Sequence, residues 1–252
     1  MTTNARLATP VMAAPVMVPD HRHLGACARC DARPHSVCNA VPAVDMARLA
    51  AASTTGIAQP GTCFVEEGAK ADAFFNITAG TARLFKLLPD GRRQIMGFAG
   101  VGHFIGLAVS STFTFSAEAI DHVHYCRFSR PRLRALLDDF PAMEQKLLEV
   151  TSSELVAAQE QMLLLGRKTA RERLASFLIA ESRHNAGCHL PRRQFALPMT
   201  RGDIADYLGL TIETVSRTLT RLRHEGLIEI PSAGDVVILD RDGLERLAEG
   251  LT

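Results

Sequence analysis

The chain has 252 residues, with 28 Lys and Arg against 27 Asp and Glu and a formal charge of +1. That length fits one large domain or two modest ones, and either can bury a real core. The longest early apolar run, VMAAPVMV at 11–18, is interrupted by Pro15 and flanked by Pro10 and Pro19, which excludes a membrane span and makes a poor signal peptide. A cytoplasmic chain is expected, and its six cysteines are then metal ligands or reactive thiols rather than disulfides.

Residues 1–26 show no sustained period and read as loosely ordered. They lead into the dense cluster HRHLGACARCDARPHSVC. Cys27, Cys30 and Cys38 there give the spacing C-x2-C-x7-C, with His21, His23 and His35 around them. Three cysteines want a fourth partner, and Cys63, Cys126 and Cys188 are the candidates. The spacing alone leaves three chemistries open. These are an iron–sulfur centre with four thiolates, structural zinc with some histidine ligands, and a redox thiol pair at Cys27 and Cys30.

A short helix is predicted over 45–53. From Gly61 the pattern changes to short alternating runs: 63–67, 74–78, 81–88, 92–98, 103–107, 114–120 and 122–128. Gly68, Gly80, Asp90-Gly91 and Gly100-Val101-Gly102 mark the turns. Strands of this length and spacing make a small β-barrel or sandwich.

Pro131–Leu137 begins a helical region, and after Pro141 a long helix is predicted to about Leu165. Leu148, Leu155 and Met162 recur every seven residues, and Thr151, Ala158 and Leu165 take the second position of the same stripe. Such a stripe is either a core contact within one chain or a seam between two. Arg167–Arg183 reads as a further helix with Ala170, Leu174, Phe177 and Leu178 on its buried side. The segment 186–194 is a polar connector.

Residues 200–226, TRGDIADYLGLTIETVSRTLTRLRHEG, have the grammar of a helix-turn-helix. Thr200 is a cap with Asp203 three residues on. Ile204, Ala205 and Leu208 follow at helical spacing, and Gly209 makes the turn. Thr211 caps the second helix, Val215, Leu219 and Leu222 form its buried stripe, and Gly226 stops it. Thr211 and Thr214 open that helix, and Glu213, Ser216 and Arg217 share one face at the end that meets base edges. Arg pairs bidentately with guanine and Glu accepts from cytosine N4. Residues 166–226 hold eleven Lys and Arg against six Asp and Glu, and the rest of the chain is net negative, as a phosphate-facing segment requires. A two-fold reader needs half-sites about 34 Å apart, which favours a dimer seam for the long helix. Leu227–Ile230 and Val236–Leu239 are predicted to form a wing, followed by a short last helix.

The run Glu213-Thr214-Val215-Ser216-Arg217 resembles the E-x-x-S-R signature in the FNR branch of the bacterial CRP/FNR regulators. Ile212 and Ser216 stand where the CRP branch has Arg and Gly. The resemblance runs over about residues 27–240. It implies an α+β chain: a cysteine-rich segment at 1–44, a β-roll of the cyclic-nucleotide-binding, jelly-roll kind at 45–137, a dimerisation helix at 138–166 and a winged helix-turn-helix at 167–252. It further implies a homodimer on double-stranded DNA at a TTGAT inverted repeat, with RNA polymerase as a partner. It makes Cys27, Cys30, Cys38 and Cys126 the ligands of an oxygen-labile 4Fe–4S cluster. The seven-residue gap after Cys30 resembles the FnrN/FnrL subgroup rather than the five-residue gap of other members. Cys63 is expected to be a buried structural thiol and Cys188 an inert one.

Two rival functions are weighed on the same residues. A cyclic nucleotide pocket of the CRP kind needs a Gly-Glu pair and a following Arg for the phosphate. Here Leu107 stands at the Glu position and no Arg occurs between Arg93 and Arg127, so a buried anion would go unpaired. An enzyme reading finds no Walker loop, no G-x-S-x-G and no metal-hydrolase His pair. A thiol oxidoreductase would rest on Cys27 and Cys30 alone.

Overall fold

The computed structural model describes residues 27–107, 110–184, 193–232 and 234–251. The expectations for 1–26, including His21 and His23, and for Cys188 lie outside them. The described chain opens with four 3-10 turns, Cys27–Arg29, Arg33–His35, Val37–Ala40 and Ala43–Asp45. Pro34 and Pro42 punctuate this stretch; a residue without an N–H cannot extend a helix through its position. Helix α1, Met46–Ala52, then buries Met46, Leu49 and Ala50, three positions on one helical face.

The strands β1 (Ser53–Ala58), β2 (Cys63–Val65), β3 (Ala73–Ala79), β4 (Ala82–Leu87), β5 (Arg93–Ala99), β6 (Phe104–Ile105), β7 (Ser116–Ala119) and β8 (Val123–Ser129) follow. They form two four-stranded sheets, ordered β1-β8-β3-β6 and β2-β7-β4-β5. Strand β1 goes beyond the predicted set. Its sequence, STTGIA, carries little apolar alternation, and Gly56 sits where it does because Tyr125 covers it. A Cβ there would lie 2.5 Å from the Tyr125 ring. Between the sheets pack Phe64, Phe75, Ile77, Phe113, Val123 and Tyr125 with several alanines. The rings of Phe64 and Tyr125 stack at 5.2 Å, and Phe75 meets Tyr125 edge-on at 5.4 Å.

Alternation along β3 and β8 sends every second side chain to the other face. That outer face carries Phe128 and Cys126, and with Phe104 of β6 it is covered by α1, helix α2 (Arg130–Asp139) and the base of helix α3 (Pro141–Arg167). Val37, Cys38 and Val41 of the turns fill the same core, which includes Met143 and touches Leu147 and Val150 of α3.

Helix α3 has 27 residues and is about 40 Å long at 1.5 Å per residue. It is packed against its own chain at both ends and bare between, for residues 151–160 are all exposed. Lys168 is extended, and Thr169 and Glu172 exchange backbone and side-chain hydrogen bonds, so the predicted second helix starts later, as α4 (Ala170–His184). A third core joins α4 to α5 (Arg201–Leu208), α6 (Ile212–His224), α7 (Arg241–Ala248) and a sheet ordered β10-β11-β9. In that sheet β10 is Ile228–Glu229, β11 is Asp235–Ile238 and β9 is Gln194–Ala196. Of the predicted connector 186–194 only 193 and 194 lie among the described residues, and strand β9 begins at its last residue; Phe195 alone in QFA is buried, too brief an apolar signal to find. No helix among the described residues is long and apolar enough to cross a membrane.

Candidate functional site

Two places carry chemistry. The first is the start of the second helix of the helix-turn-helix. Thr200 and Asp203 close a full capping box on α5. Gly209 ends that helix at φ 63°, a left-handed conformation that costs a Cβ-bearing residue. The Thr211 hydroxyl accepts from the Thr214 N–H at 3.2 Å and starts α6. Val215, Thr218, Leu219 and Leu222 are buried, so Thr218 joins the stripe read from the sequence. Thr211, Glu213 and Arg217 are exposed, and Thr214 and Ser216 are half-buried beside them. The carboxyl of Glu213 is held below the ordinary range, first by its own backbone N–H and the Thr211 hydroxyl, then by Arg217. An ionised acceptor and a guanidinium thus stand on an open surface at the positive end of a helix, where anions are drawn.

This unit is gripped by the roll through groups the sequence patterns did not mark. Asp203, 1% exposed, accepts from Arg83 Nη1 at 2.8 Å and from Arg93 Nη2 at 2.9 Å. Arg93 Nε also donates to Asp206 at 2.9 Å, and the Gln94 amide donates to the Asp206 carbonyl at 2.8 Å. Arg83 pairs in addition with Glu118. Phe98 of β5 lies against Phe177 and Tyr207. Asp203, the capping-box partner of Thr200, therefore also attaches the first helix of the helix-turn-helix to the β2-β7-β4-β5 sheet.

The second place is the outer core of the roll. The thiols of Cys27, Cys30, Cys38 and Cys126 lie near enough that each charge opposes ionisation of Cys126. Burial pushes the Cys126 thiol up to about 12, with Cys27, Cys38 and Cys30 adding to it. Burial also carries Cys38 to about 11, against a hydrogen bond from Ser36, and raises Cys27, with Cys30 adding. All four are unbonded. Strand β8 places Cys126 opposite Thr55 on one side and Asn76 on the other. The turns place the other three: the Ser36 hydroxyl accepts from the Cys38 N–H at 3.3 Å, and the Arg33 guanidinium donates to the Val41 carbonyl at 2.9 Å. Cys63 is apart from this group, on β2 of the other sheet, with its thiol donating to the Val65 carbonyl at 2.9 Å.

The donor set fits a cluster. Cys27, Cys38 and Cys126 border one apolar core and Cys30 acts on the same thiols, and four soft thiolates are the donor types that a 4Fe–4S centre uses, one for each iron. Among the described residues no group of three or more Cys, His, Asp or Glu side chains is arranged to hold a metal ion.

The dimer-seam residues divide. Leu148, Leu155 and Met162 are 67%, 61% and 66% exposed, and Thr151 and Ala158 are exposed with them. Val156 and Leu163, seven apart and also exposed, widen the stripe beyond the sequence reading. Leu165 is different. It is half-buried against the core of its own winged helix, its methyl 3.4 Å from where a Gly209 Cβ would stand.

A family profile described as a Crp-like helix-turn-helix domain matches residues 172–247, and one described as a cyclic nucleotide-binding domain matches 57–140. The transcriptional activatory protein AadR of Rhodopseudomonas palustris is 44% identical over 75% of this chain and 79% of its own length. The chain belongs to the CRP/FNR family. The transcriptional activator protein FnrL of Cereibacter sphaeroides is 36% identical over 87% of this chain and 86% of its own. The solved structure of FixK2 from Bradyrhizobium japonicum is 37% identical, covers 77% of this chain and 96% of its own, and superimposes with a TM-score of 0.72. The expected α+β architecture, with β-roll, long helix and winged helix-turn-helix, is therefore the fold of this family. The chain is a DNA-binding transcription regulator and not an enzyme.

Proposed function

We propose that this regulator is an oxygen-responsive activator of the FNR type. Cys27, Cys30, Cys38 and Cys126 hold a 4Fe–4S cluster, and the cluster-bearing chain is a homodimer that reads a TTGAT inverted repeat and works with RNA polymerase. The observation that carries the reading is that Cys27 and Cys38 of the N-terminal turns share one core with Cys126, with Cys30 close enough to act on the same thiol. The relatives named as activators, AadR and FnrL, support the activator part.

When bound, the cluster supplies an oxygen-labile link among the four thiolates. The protein's part is mechanical. Cys38 lies between Val37 and Val41, which share a core with Met143 of α3. Tying Cys38 to Cys126 holds those turns against the base of the long helix. That favours the α3 conformation in which Leu148, Leu155, Val156, Met162 and Leu163 are covered by a second copy. The link is a population shift, and its size is set by how differently the two states accept the tether.

Cyclic nucleotide is not the signal in this reading. Phe64, Phe75 and Tyr125 pack the interior of the roll, and no arginine falls between Arg93 and Arg127 to pair a buried phosphate.

The test is purification without air, with a visible spectrum, iron and sulfide content, sedimentation, and affinity for the palindrome before and after air. Brown protein with four irons per chain that becomes monomeric and loses the palindrome on oxidation is expected. Colourless protein with one zinc per chain and air-indifferent DNA binding would overturn the reading.

A further inference from the structure

Asn76 is 2% exposed, and its Oδ1 has no hydrogen-bond partner among the described residues. A buried amide oxygen left unpaired is uncommon in native proteins and calls for a cause. Asn76 lies on β3, where Phe75 and Ile77 face the roll interior and Phe74 faces the outer core. Alternation puts Asn76 on the outer side with Phe74. There it is directly opposite Cys126 of β8 on one flank and Phe104 of β6 on the other. Residues facing each other across antiparallel strands have Cβ atoms about 5 Å apart. Among the described residues, the one buried side-chain amide of this core is thus the cross-strand neighbour of Cys126. Apolar Phe104 and Phe128 supply no polar alternative.

Building on the four-cysteine centre proposed above, we propose that Asn76 is a positioning residue for it, donating an N–H hydrogen bond from its side-chain amide to the Cys126 sulfur when that sulfur is a metal-bound thiolate. A half-turn about the last side-chain torsion exchanges Oδ1 for Nδ2 in nearly the same volume. A thiolate accepts such a bond, whereas a protonated thiol is a poor acceptor. The bond therefore forms in the loaded state and is missing in the metal-free fold. Partners of this kind orient a ligand and hold its charge, and losing one typically weakens metal binding by about 10- to 100-fold.

The test uses the full chain, reduced and metal-free under argon, reconstituted with ferrous iron and sulfide against a competing chelator and followed by the sulfur-to-iron charge-transfer absorption. Replacing Asn76→Leu keeps the branched outline with a somewhat larger side chain and removes the donor. We expect about tenfold weaker iron retention or worse, together with an unchanged or raised melting temperature of the metal-free protein, because an unpaired buried acceptor has been removed. Asn76→Thr, which keeps a donor and suits a strand, falls between parent and leucine variant in affinity. A purely structural asparagine gives the opposite pattern: a lowered melting temperature and parental iron affinity in both variants. That pattern, or equal affinity in all three proteins, overturns the role of Asn76 alone. A parent chain that gives no thiolate–iron absorption after reconstitution overturns the four-cysteine centre and this role with it. If the leucine variant fails to fold without metal, the threonine variant decides, and parental affinity despite misplacement of the donor counts against the proposal.

Discussion

Two side chains set what the reading unit does, Arg217 and Asp203. Arg217 is exposed on the first half of α6, near the open end of the helix. Arg217→Ala is expected to cost about 1–3 kcal/mol on the TTGAT palindrome and little on random DNA. Competition gel shifts at fixed salt measure both, and equal losses on the two sequences would make Arg217 a phosphate contact only. Asp203 combines two duties, as the capping partner of Thr200 and the acceptor for Arg83 and Arg93. Burial alone would raise its carboxyl, but the hydrogen bonds of Thr200 and the two guanidiniums outweigh burial and hold it below the ordinary range. A depressed carboxyl contributes stability above its unfolded value, and that contribution is lost as the pH falls through the folded value. The stabilising effect of Asp203 is therefore complete at neutral pH and fades below about pH 4. Asp203→Asn should cost roughly 1–3 kcal/mol at pH 7 and should flatten the acid limb of stability against pH. Denaturant melts at pH 7 and in the acid range check this, and an acid limb as steep as the parent's would detach the effect from Asp203.

At the scale of elements, helix α3 shows what a sequence pattern can and cannot say. The seven-residue recurrence of Leu148, Leu155 and Met162 marked one apolar stripe, and the single chain leaves all three in water. The pattern could not tell that Leu165, in register with Thr151 and Ala158, turns back onto its own winged helix. That depends on where Gly209 and α5 pass, which no local period encodes. Strand β1 escaped notice for a related reason. Its place rests on pairing with β8 and on Tyr125 covering Gly56, both distant in sequence. The caps of α5 and α6 were legible because Thr200, Asp203 and Thr211 act within three residues of themselves. Arg83 and Arg93 were not, since their partner is more than a hundred residues away. The stripe itself is testable. Leu155→Glu would bring two carboxylates together in an apolar seam, and desolvating them is unfavourable by several kcal/mol. In the single chain Leu155 is exposed, so the fold should tolerate the change. A monomer with parental far-UV circular dichroism and lost palindrome affinity is expected. Sedimentation as an intact dimer would move the interface off this face.

On the scale of the whole molecule, the roll and the winged helix-turn-helix are joined by two routes that leave the same roll. The outer core binds the cysteine turns to the base of α3, and the β4–β5 edge binds α5 through Arg83 and Arg93. If the first route carries the signal, each thiol of the buried group should matter to every output at once. Replacing Cys27, Cys30, Cys38 or Cys126 by Ser removes a soft ligand and leaves a hydroxyl that ionises far less readily. Each of these changes should abolish iron binding, dimerisation and anaerobic palindrome binding together, by tenfold or more in affinity. Cys63→Ser should leave all three within about twofold. Its thiol bonds to the Val65 carbonyl on the opposite sheet, so only a fraction of a kcal/mol to about 1 kcal/mol of stability is at stake. Cys188→Ser supplies the second control. The comparison is iron content beside sedimentation and DNA affinity for all six variants, made without air and repeated after exposure. Iron retained in Cys126→Ser while Cys63→Ser or Cys188→Ser loses it would refute this ligand set. Iron lost without loss of the dimer would place the cluster outside the α3 route and leave the Arg83 and Arg93 contacts as the path from roll to reader.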